Sequence, residues 1–275
     1  VTIVLSPGTY FASRGNLTVR KKDCLELRCS QPAIVNGRPN PNGCVFEGQI
    51  IVNPAKNITI ENMVMVVDNT GRESQARDYS IRVYKTDAIR IANNAFNGDN
   101  NHDLSTKSNV KYTEVLNNLF VGCTRHCVEA GQNGNVPGSP SISEKMVVRG
   151  NVFDGPKRNA ITQLNNRHLI IADNEFRNVG LRALQSLPAS KIYVGKMHQI
   201  IPAPLRTEII NNNFVSGNNK LDFEGRGTTN ETILIQGNKG NYTCSRRGMD
   251  SQSASVFTNE QSTAAPTLAP GSDPC

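Results

Sequence analysis

A short phrase recurs along this chain, and its repetition constrains the fold more than any other feature. In each copy, apolar residues alternate with other residues, and then a turn residue, an asparagine and usually a phenylalanine follow. The clearest copies are MVVRGNVF, which ends at Phe153, and LIIADNEF, which ends at Phe176. The asparagines of the repeated phrase are Asn94, Asn118, Asn151, Asn174, Asn212 and Asn238. A repeat of about 20 to 50 residues indicates stacked supersecondary units.

The phrase has the periodicity of a strand and not that of a helix. Its apolar residues stand two positions apart, as Met146 and Val148 do. The repeated asparagines are separated by 24, 33, 23, 38 and 26 positions. We expect the shortest steps to form one coil of three short strands and three turns, and the longer steps to add an inserted loop. The predicted fold is therefore all-β, a right-handed parallel β-helix of about eight to ten coils.

Like residues of successive coils lie above one another in such a solenoid. We expect the phenylalanines to stack inside and the asparagines to form a ladder at a turn. There Asn tolerates left-handed backbone, and its amide can bond the amides above and below. A related stretch, NITIENM at 57–63, has Met63 in the asparagine position. The ladder is therefore predicted to begin at Asn94.

We predict one β-helix domain over residues 1–245 and a C-terminal tail over residues 246–275. The tail is rich in Ser, Thr, Ala and Pro, which is typical of an extended linker or an O-glycosylated stalk. Two insertions, at 131–144 and at about 185–205, each precede a new copy of the phrase. Both should overhang the same side, which is either a binding side or a decorated edge.

Charge and hydropathy exclude some function classes. The net charge is +7 with a pI of about 9.1, but the basic residues are scattered, so we predict no nucleic-acid partner. A basic excess fits an acidic polysaccharide partner, and a plain soluble basic surface is the simpler alternative. No apolar run reaches membrane-spanning length, so no membrane span is predicted.

Cysteines and glycosylation sequons predict an extracellular or cell-surface protein. The four Asn-x-Thr sequons start at Asn16, Asn57, Asn230 and Asn241. The chain begins at Val1 without Met, for which a processed or truncated start is the expected reason.

The seven cysteines are disulfide candidates, and an odd number leaves one free or bonded to another chain. We expect a disulfide within the trio Cys24, Cys29 and Cys44, since a metal site would be expected to include nearby histidines. Cys123 and Cys127 could bond each other or a partner elsewhere. The plausible nearby mate of Cys275 is Cys244.

The opening TIVLSPGTY and the phrases NITIENM and NNxF resemble the pectate-lyase-like superfamily of parallel β-helix proteins. The resemblance covers roughly residues 1–245. It implies a right-handed parallel β-helix. It leaves function open, because that superfamily contains lyases, hydrolases and epimerases of acidic polysaccharides as well as tailspikes, adhesins and other non-catalytic surface proteins.

The catalytic motifs of the enzymes in that superfamily are missing. The epimerase-type Asp-Pro-His-Asp is absent, and so is the Leu-Thr-Leu-Arg-His-Gly run of the alginate and chondroitin lyase group. The comparable places here read HCVEAG at 126–131 and NAITQL at 159–164. No cofactor or metal is predicted, although Ca²⁺ would be expected if the protein is an acidic-polysaccharide lyase.

Any catalytic groove should follow the second strand of each coil, which lies between one copy of the repeated phrase and the next, as HCVEAG and NAITQL do. The reactive side chains there are Lys85, Arg125, His126, Glu129, Arg158 and Glu224. For His126, a surface turn beside a disulfide is the simpler interpretation. Asp222 and Glu224 stand two apart and could form a pair, with a solvated face as the simpler alternative. His102 and Asp103 are placed in an Asn/Asp-rich loop that could meet a cation.

Two hypotheses follow. The first is a non-catalytic structural or assembly glycoprotein that associates with itself or with other extracellular proteins, because VTIVL forms an apolar strand edge and one cysteine is left over. The second is a secreted lyase or epimerase of a uronate polysaccharide, with a non-catalytic glycan-binding module as a variant. Whether the protein is an enzyme is left open by the sequence, with the structural hypothesis favoured.

Overall fold

The computed structural model is an all-β protein built almost entirely from parallel strands, which confirms the predicted fold class. It describes residues 1–66, 79–98, 102–107, 110–130, 143–163, 166–180, 182–186, 192–194, 197–199, 205–224, 231–247 and 257–260. Within these residues every regular element is a strand, and no helix could span a membrane. The chain passes in turn through three faces, which we call A, B and C, and strands of successive coils pair along each face.

Face A is a single parallel sheet of ten strands. It contains the strands that carry the apolar part of the repeated phrase, each of which buries alternate residues. In order across the sheet its strands are Thr2–Leu5, Lys22–Cys29, Ala55–Glu61, Ala88–Ala92, Tyr112–Leu116, Ser143–Arg149, Asn166–Ala172, Leu205–Ile210, Glu231–Gln236 and Phe257–Glu260.

Faces B and C together form a second sheet of 16 strands, because the long strands Gly8–Val19 and Cys44–Val52 run along both faces. The other strands of face B are Met63–Val66, Ala95–Asn97, Leu119–Val121, Val152–Asp154, Glu175–Arg177, Asn213–Phe214 and Lys239–Gly240. Those of face C are Tyr79–Val83, His102–Thr106, His126–Ala130, Asn159–Gln163, Arg182–Ser186, Lys220–Glu224 and Thr243–Arg247.

The turn from face A to face B requires one residue with left-handed backbone, and the sequence supplies Asn, Asp or Gly there. In the coils that carry the repeated asparagines, φ at this position is between 53° and 67°. The residues are Asn93, Asn117, Gly150, Asp173, Asn211 and Gly237. These residue types adopt this conformation at the lowest steric cost. The chain therefore changes direction at the same point in every coil.

The expectation that the ladder asparagines themselves take the left-handed backbone was wrong, because the residue before each of them makes the turn. Each ladder asparagine is buried and joined to its neighbours by hydrogen bonds. Asn118 Oδ1 accepts the main-chain N–H of Asn94 at 2.9 Å and its side-chain amide at 3.1 Å. The same pair of bonds links Asn118 to Asn151, and it continues through Asn174 and Asn212 to Asn238. Each side-chain amide also donates to a main-chain carbonyl, as Asn118 does to Ile91.

The interior holds columns of like side chains, because the strand register places equivalent residues side by side. Five phenylalanines are stacked with ring centroids 4.6 to 5.1 Å apart: Phe96, Phe120, Phe153, Phe176 and Phe214. Met65 occupies the same position in the coil before Phe96. Aliphatic side chains from faces A and C fill the rest of the core. Burial of these columns is the main term that stabilises the solenoid.

Two short antiparallel hairpins interrupt the coils. Ile34–Val35 pairs with Arg38–Pro39, and Ile192–Val194 pairs with Met197–Gln199. The first hairpin covers face B, where Ala33 packs against Val64 and Ala95. The second lies in the predicted 185–205 insertion. Residues 131–142 of the other insertion lie outside the described residues, so the predicted common side stays a prediction.

The described cysteines form two disulfides, Cys29–Cys44 and Cys123–Cys127. Cys24 is an exposed free thiol. The first disulfide lies within the predicted trio, and it closes the loop that carries the first hairpin. The side chain of Cys244 and the whole of Cys275 lie outside the described residues, so their pairing stays a prediction.

The sheet of face A continues into the segment predicted as a tail. Phe257–Glu260 pairs in parallel with Ile233–Gln236. Residues 248–256 and 261–275 lie outside the described residues.

Candidate functional site

Face C carries a group of polar side chains that differ from coil to coil, unlike the columns of identical residues in the interior. The strand register aligns Tyr79, His102, His126 and Asn159 in one row across four strands. A neighbouring row contains Arg82, Ser105, Glu129 and Thr162. Lys107 follows the strand His102–Thr106 and is buried. We call these nine residues the face C cluster.

Three rings of the face C cluster lie against one another. The ring of His102 is stacked on that of Tyr79, with centroids 4.8 Å apart and an interplanar angle of 17°. The ring of His126 follows at 4.9 Å with a tilt of 44°. Both histidines are buried, with 4% and 6% of their surface exposed. These contacts fix the imidazole positions without relying on a mobile loop.

Glu129 is the acceptor at the centre of the face C cluster. Its Oε2 atom accepts hydrogen bonds from Lys107 Nζ at 2.6 Å and from Ser105 Oγ at 2.7 Å. His102 Nδ1 lies 3.7 Å from the same oxygen, which is beyond hydrogen-bond distance. The Lys107–Glu129 contact is an ion pair whose side chains are only 9% and 12% exposed.

The tautomer of His126 follows from its partners. Its Nδ1 atom lies 3.2 Å from Asn159 Nδ2 and 2.9 Å from Thr162 Oγ1. An amide nitrogen can only donate, so Nδ1 accepts and the ring proton of neutral His126 lies on Nε2.

Burial and neighbouring charge shift several pKa values in the face C cluster. Burial, followed by the positive charges of Lys107 and Arg125, lowers the pKa of His102 to about 3. Burial and the neighbouring His102 lower the pKa of His126 to about 3. Both histidines are therefore neutral at neutral pH. Burial also lowers the pKa of Lys107, although the attraction of Glu129 opposes this shift.

Of the side chains expected in a catalytic groove, the structure brings His126 and Glu129 together. Arg125 and Arg158 are exposed, and both lie close enough for their charges to lower the pKa of the two histidines. Lys85 is exposed on a turn with φ 44°. The side chains of Asp222 and Glu224 lie outside the described residues.

Two local interpretations were wrong. His102 and Asp103 belong to a buried strand and not to a loop, because their strand pairs on both sides within face C. His126 likewise lies in a buried strand, although it is beside the Cys123–Cys127 disulfide as expected.

Sequence reasoning missed Tyr79, Arg82, Ser105 and Lys107. One signal could have revealed three of them. Ser105 precedes Glu129 by 24 positions, and that is also the step from Asn94 to Asn118. Tyr79 and Arg82 precede His102 and Ser105 by 23 positions, which is the step from Asn151 to Asn174. Aligning the coils by both short steps would have placed them in the same two rows.

A Ca²⁺ ion, which the family resemblance suggested for a lyase, does not fit the described residues. Calcium requires about six to eight oxygen ligands. Glu129 is already bound by an ammonium group. Within the described chain, the one group of side chains close enough to share an ion is Asp103 with Cys123 and Cys127. These cysteines are joined in a disulfide and offer no thiolate.

The predicted glycosylation sites differ in accessibility. Asn57 and Asn241 are exposed and Asn16 is half-buried. Asn230 lies outside the described residues. Their occupancy stays a prediction.

Comparisons with known proteins add little to this site. No protein-family model matches the chain, and no curated protein matches it. Among solved structures, "a new PL6 alginate lyase complex with trisaccharide" is 13% identical with a TM-score of 0.46, covering 90% of this chain and 55% of that one. The catalytic unit of a thermostable GH87 alpha-1,3-glucanase from Streptomyces thermodiastaticus strain HF3-3 is 10% identical with a TM-score of 0.30, covering 99% of this chain and 64% of that one.

The chain thus spans less than two thirds of either solved chain. At such low identity and similarity the two matches carry no argument about activity. The parallel β-helix itself rests on the strand pairing described above, and it agrees with the pectate-lyase-like resemblance of the sequence.

Proposed function

We propose that the protein is an enzyme that removes a proton beside a carboxylate in an acidic polysaccharide, with the face C cluster as its active site. The observation that carries the proposal is the buried Lys107–Glu129 ion pair next to two neutral histidines whose rings lie in contact. Ionisable groups with shifted pKa values on one surface are the usual mark of acid–base chemistry. A solenoid with a purely mechanical role has no need of such a group.

The charge of the face C cluster favours an anionic substrate. Four cations lie close enough to lower the pKa of His102, namely Lys107, Arg125, Arg82 and Arg158. The nine residues of the cluster include two of these cations, Lys107 and Arg82, and one carboxylate, Glu129, and the exposed Arg125 and Arg158 lie beside them. A surface with this excess of positive charge attracts a polyanion such as a uronate polysaccharide.

Lys107 is the residue we assign as the base. Lys107 is an ammonium in its contact with Glu129, so it acts as the base only after it has lost that proton. Its lowered pKa favours this loss, and the neutral amine can then accept the proton on C5 of a uronate. A lyase would then break the C4–O bond, with water donating a proton to the leaving oxygen, whereas an epimerase would deliver a proton from water to the opposite face of C5. Glu129 Oε2 holds the amine in place, and the Ser105 hydroxyl donates to that same oxygen.

The test is an assay of the purified chain against a panel of uronate polysaccharides. Absorbance at about 235 nm reports the unsaturated product of a lyase, and NMR reports epimerisation. We expect Lys107→Met to lose at least about a hundredfold in kcat, within the usual range for a general base. The matched control is Lys111→Met, since Lys111 is exposed and pairs with Asp87. A wild-type protein inactive on every polysaccharide, or an active Lys107→Met variant, would refute the proposal.

A second candidate, self-assembly, is favoured by a different observation. Apolar side chains are exposed on the first strands of faces A, B and C: Val1, Ile3, Val4, Phe11 and Leu17. Among the strands that the structure describes, Thr2–Leu5 and Gly8–Val19 each pair with one neighbour. An apolar strand edge of this kind suits strand addition by a second copy of the chain. The exposed thiol of Cys24 lies on the adjacent strand and could link the copies.

Light scattering and non-reducing gels test this candidate. We expect Val4→Lys with Phe11→Asp to convert an oligomer to a monomer, and Cys24→Ser to remove any disulfide-linked band. The control is Val215→Asp, at an exposed valine of face B. A monomeric wild-type chain would exclude self-assembly.

A further inference from the structure

Arg82 on face C is held between two tyrosine rings. Its guanidinium carbon lies 4.7 Å from the ring centroid of Tyr79 and 4.9 Å from that of Tyr84. Contacts of this kind restrict the guanidinium plane before any ligand arrives. Burial raises the pKa of Tyr84, so its ring stays neutral at physiological pH.

The positive charge of Arg82 has no counter-ion among the described residues. No described carboxylate lies within ion-pair distance of its guanidinium, and its Nε atom is buried without a hydrogen-bond partner in that part of the chain. Glu129, two strands away in the same row, is occupied by Lys107 and Ser105. A desolvated guanidinium N–H without an acceptor is costly, and an anionic ligand would relieve that cost.

We propose that Arg82 is the carboxylate-binding residue of face C, oriented by Tyr79 and Tyr84. A guanidinium presents two parallel N–H groups that match the two oxygens of a planar carboxylate. This inference rests on the proposed function in one respect: it takes the carboxylate to be that of a uronate in the same groove.

The position of Arg82 relative to Lys107 supports this role. The ammonium of Lys107 lies 5.1 Å from the centroid of the same Tyr79 ring that Arg82 contacts. Because both cations contact one ring, the proposal places C5 of a uronate held at Arg82 beside Lys107. Binding at Arg82 also withdraws electron density from that carbon, which makes its proton easier to remove.

The experiment measures binding separately from turnover. The probes are tetragalacturonate, tetraglucuronate and tetramannuronate, each compared with its carboxyl-reduced neutral counterpart, and inorganic sulfate as a non-planar anion. Because the chain contains six tyrosines and no tryptophan, tyrosine fluorescence can report binding near Tyr79 and Tyr84. Calorimetry provides the second measurement.

We expect at least one uronate probe to bind more tightly than its neutral counterpart. Arg82→Met, which retains an unbranched apolar side chain between the rings, should weaken that binding about ten- to a hundredfold, the usual worth of charged hydrogen bonds. The uronate affinity of Arg82→Lys should lie between those of wild type and Arg82→Met, because an ammonium keeps the charge but lacks the two parallel N–H groups of a guanidinium. Arg90→Met on face A is the control, since Arg90 is exposed and paired with Glu114.

The outcomes separate this inference from the proposed function. Unchanged uronate binding by Arg82→Met overturns the inference, whereas loss of turnover in Lys107→Met would still support the enzyme. If sulfate binds the wild-type protein as tightly as the uronate does, the proposal that Arg82 selects a carboxylate is overturned. Arg82-dependent uronate binding without any turnover supports the inference and refutes the enzyme.

Discussion

Lys107 Nζ lies 2.6 Å from Glu129 Oε2 between adjacent coils of face C, with side chains only 9% and 12% exposed. Neither sequence neighbourhood contains both charges, so the pair exists because the coils are in register. A buried pair of this kind contributes little net stability when intact, but breaking it leaves one charge without a partner.

Glu129→Gln should therefore destabilise the protein by about 3–5 kcal/mol, because it leaves the ammonium of Lys107 buried and unpaired. Urea unfolding followed by circular dichroism would measure the change. The double variant Lys107→Met with Glu129→Gln should recover part of the loss. Glu114→Gln at the exposed pair with Arg90 is the control and should cost no more than about 1 kcal/mol. A Glu129→Gln variant as stable as that control would contradict the buried ion pair.

Acid should destabilise the protein through His102 and His126, the buried histidines of the face C cluster. Their folded pKa values of about 3 lie below the ordinary histidine pKa of 6.5, so the unfolded chain binds more protons between those limits. The stability they contribute is present above pH 6.5 and is lost as the pH falls towards about 3. Each histidine can add up to about 1.4 kcal/mol per pH unit to this slope.

Unfolding free energies measured across this pH window test the effect. His102→Phe keeps a ring against Tyr79 and should make the pH dependence less steep. His168→Phe on face A is the control, because His168 is more exposed and bonded to Glu208. Equal slopes in wild type and His102→Phe would show that His102 does not titrate in this way.

Removing one asparagine from the ladder should be costly. Asn118→Ala removes the acceptor of two Asn94 donors and the donor to Asn151 and Ile91. Each buried group left unpaired costs about 1–3 kcal/mol, so a loss of at least about 3 kcal/mol is expected in thermal or urea unfolding. Asn213→Ala, at an exposed position beside the ladder, should change stability by about 0.5 kcal/mol or less. Similar losses in both variants would argue against the ladder.

Glycine substitutions should separate backbone strain from steric overlap. Gly122 has φ 72°, and a Cβ added there would meet no atom within 4 Å, so Gly122→Ala should cost only the left-handed penalty of about 1–2 kcal/mol. Gly217 has φ 92°, and a Cβ there would lie 2.2 Å from Val179 N and 2.6 Å from Val179 O. Gly217→Ala should cost about 1–3 kcal/mol more, because backbone atoms must move. Equal costs by calorimetry would mean that the coils at Gly217 are not closely packed.

The β-helix could be predicted because its determinants are local and periodic. The strand alternation seen at Met146 and Val148, the turn residue Gly150 and the asparagine after it have counterparts in each coil from Asn94 to Asn238, so stacking in register follows from the sequence. Met63 likewise marked where the asparagine row begins: its main-chain N–H donates to Asn94 Oδ1 at 2.9 Å.

The face C cluster could be predicted only in part. His126 and Glu129 were found because they stand together in HCVEAG. Lys107 and Arg82 lie in other coils and match no motif, so nothing in their own neighbourhoods distinguishes them from solvated surface residues.

The sequence by itself thus determined the solenoid. Repeated short-range patterns specify each coil, and coils with the same pattern stack because their apolar residues meet at equivalent positions. Only the tertiary structure decided the chemistry of face C. Contacts such as Lys107 with Glu129 and Arg82 with Tyr84 and Tyr79 depend on the register between coils and on burial. Burial then shifts the pKa values of His102, His126 and Lys107, and no single stretch of sequence encodes that environment.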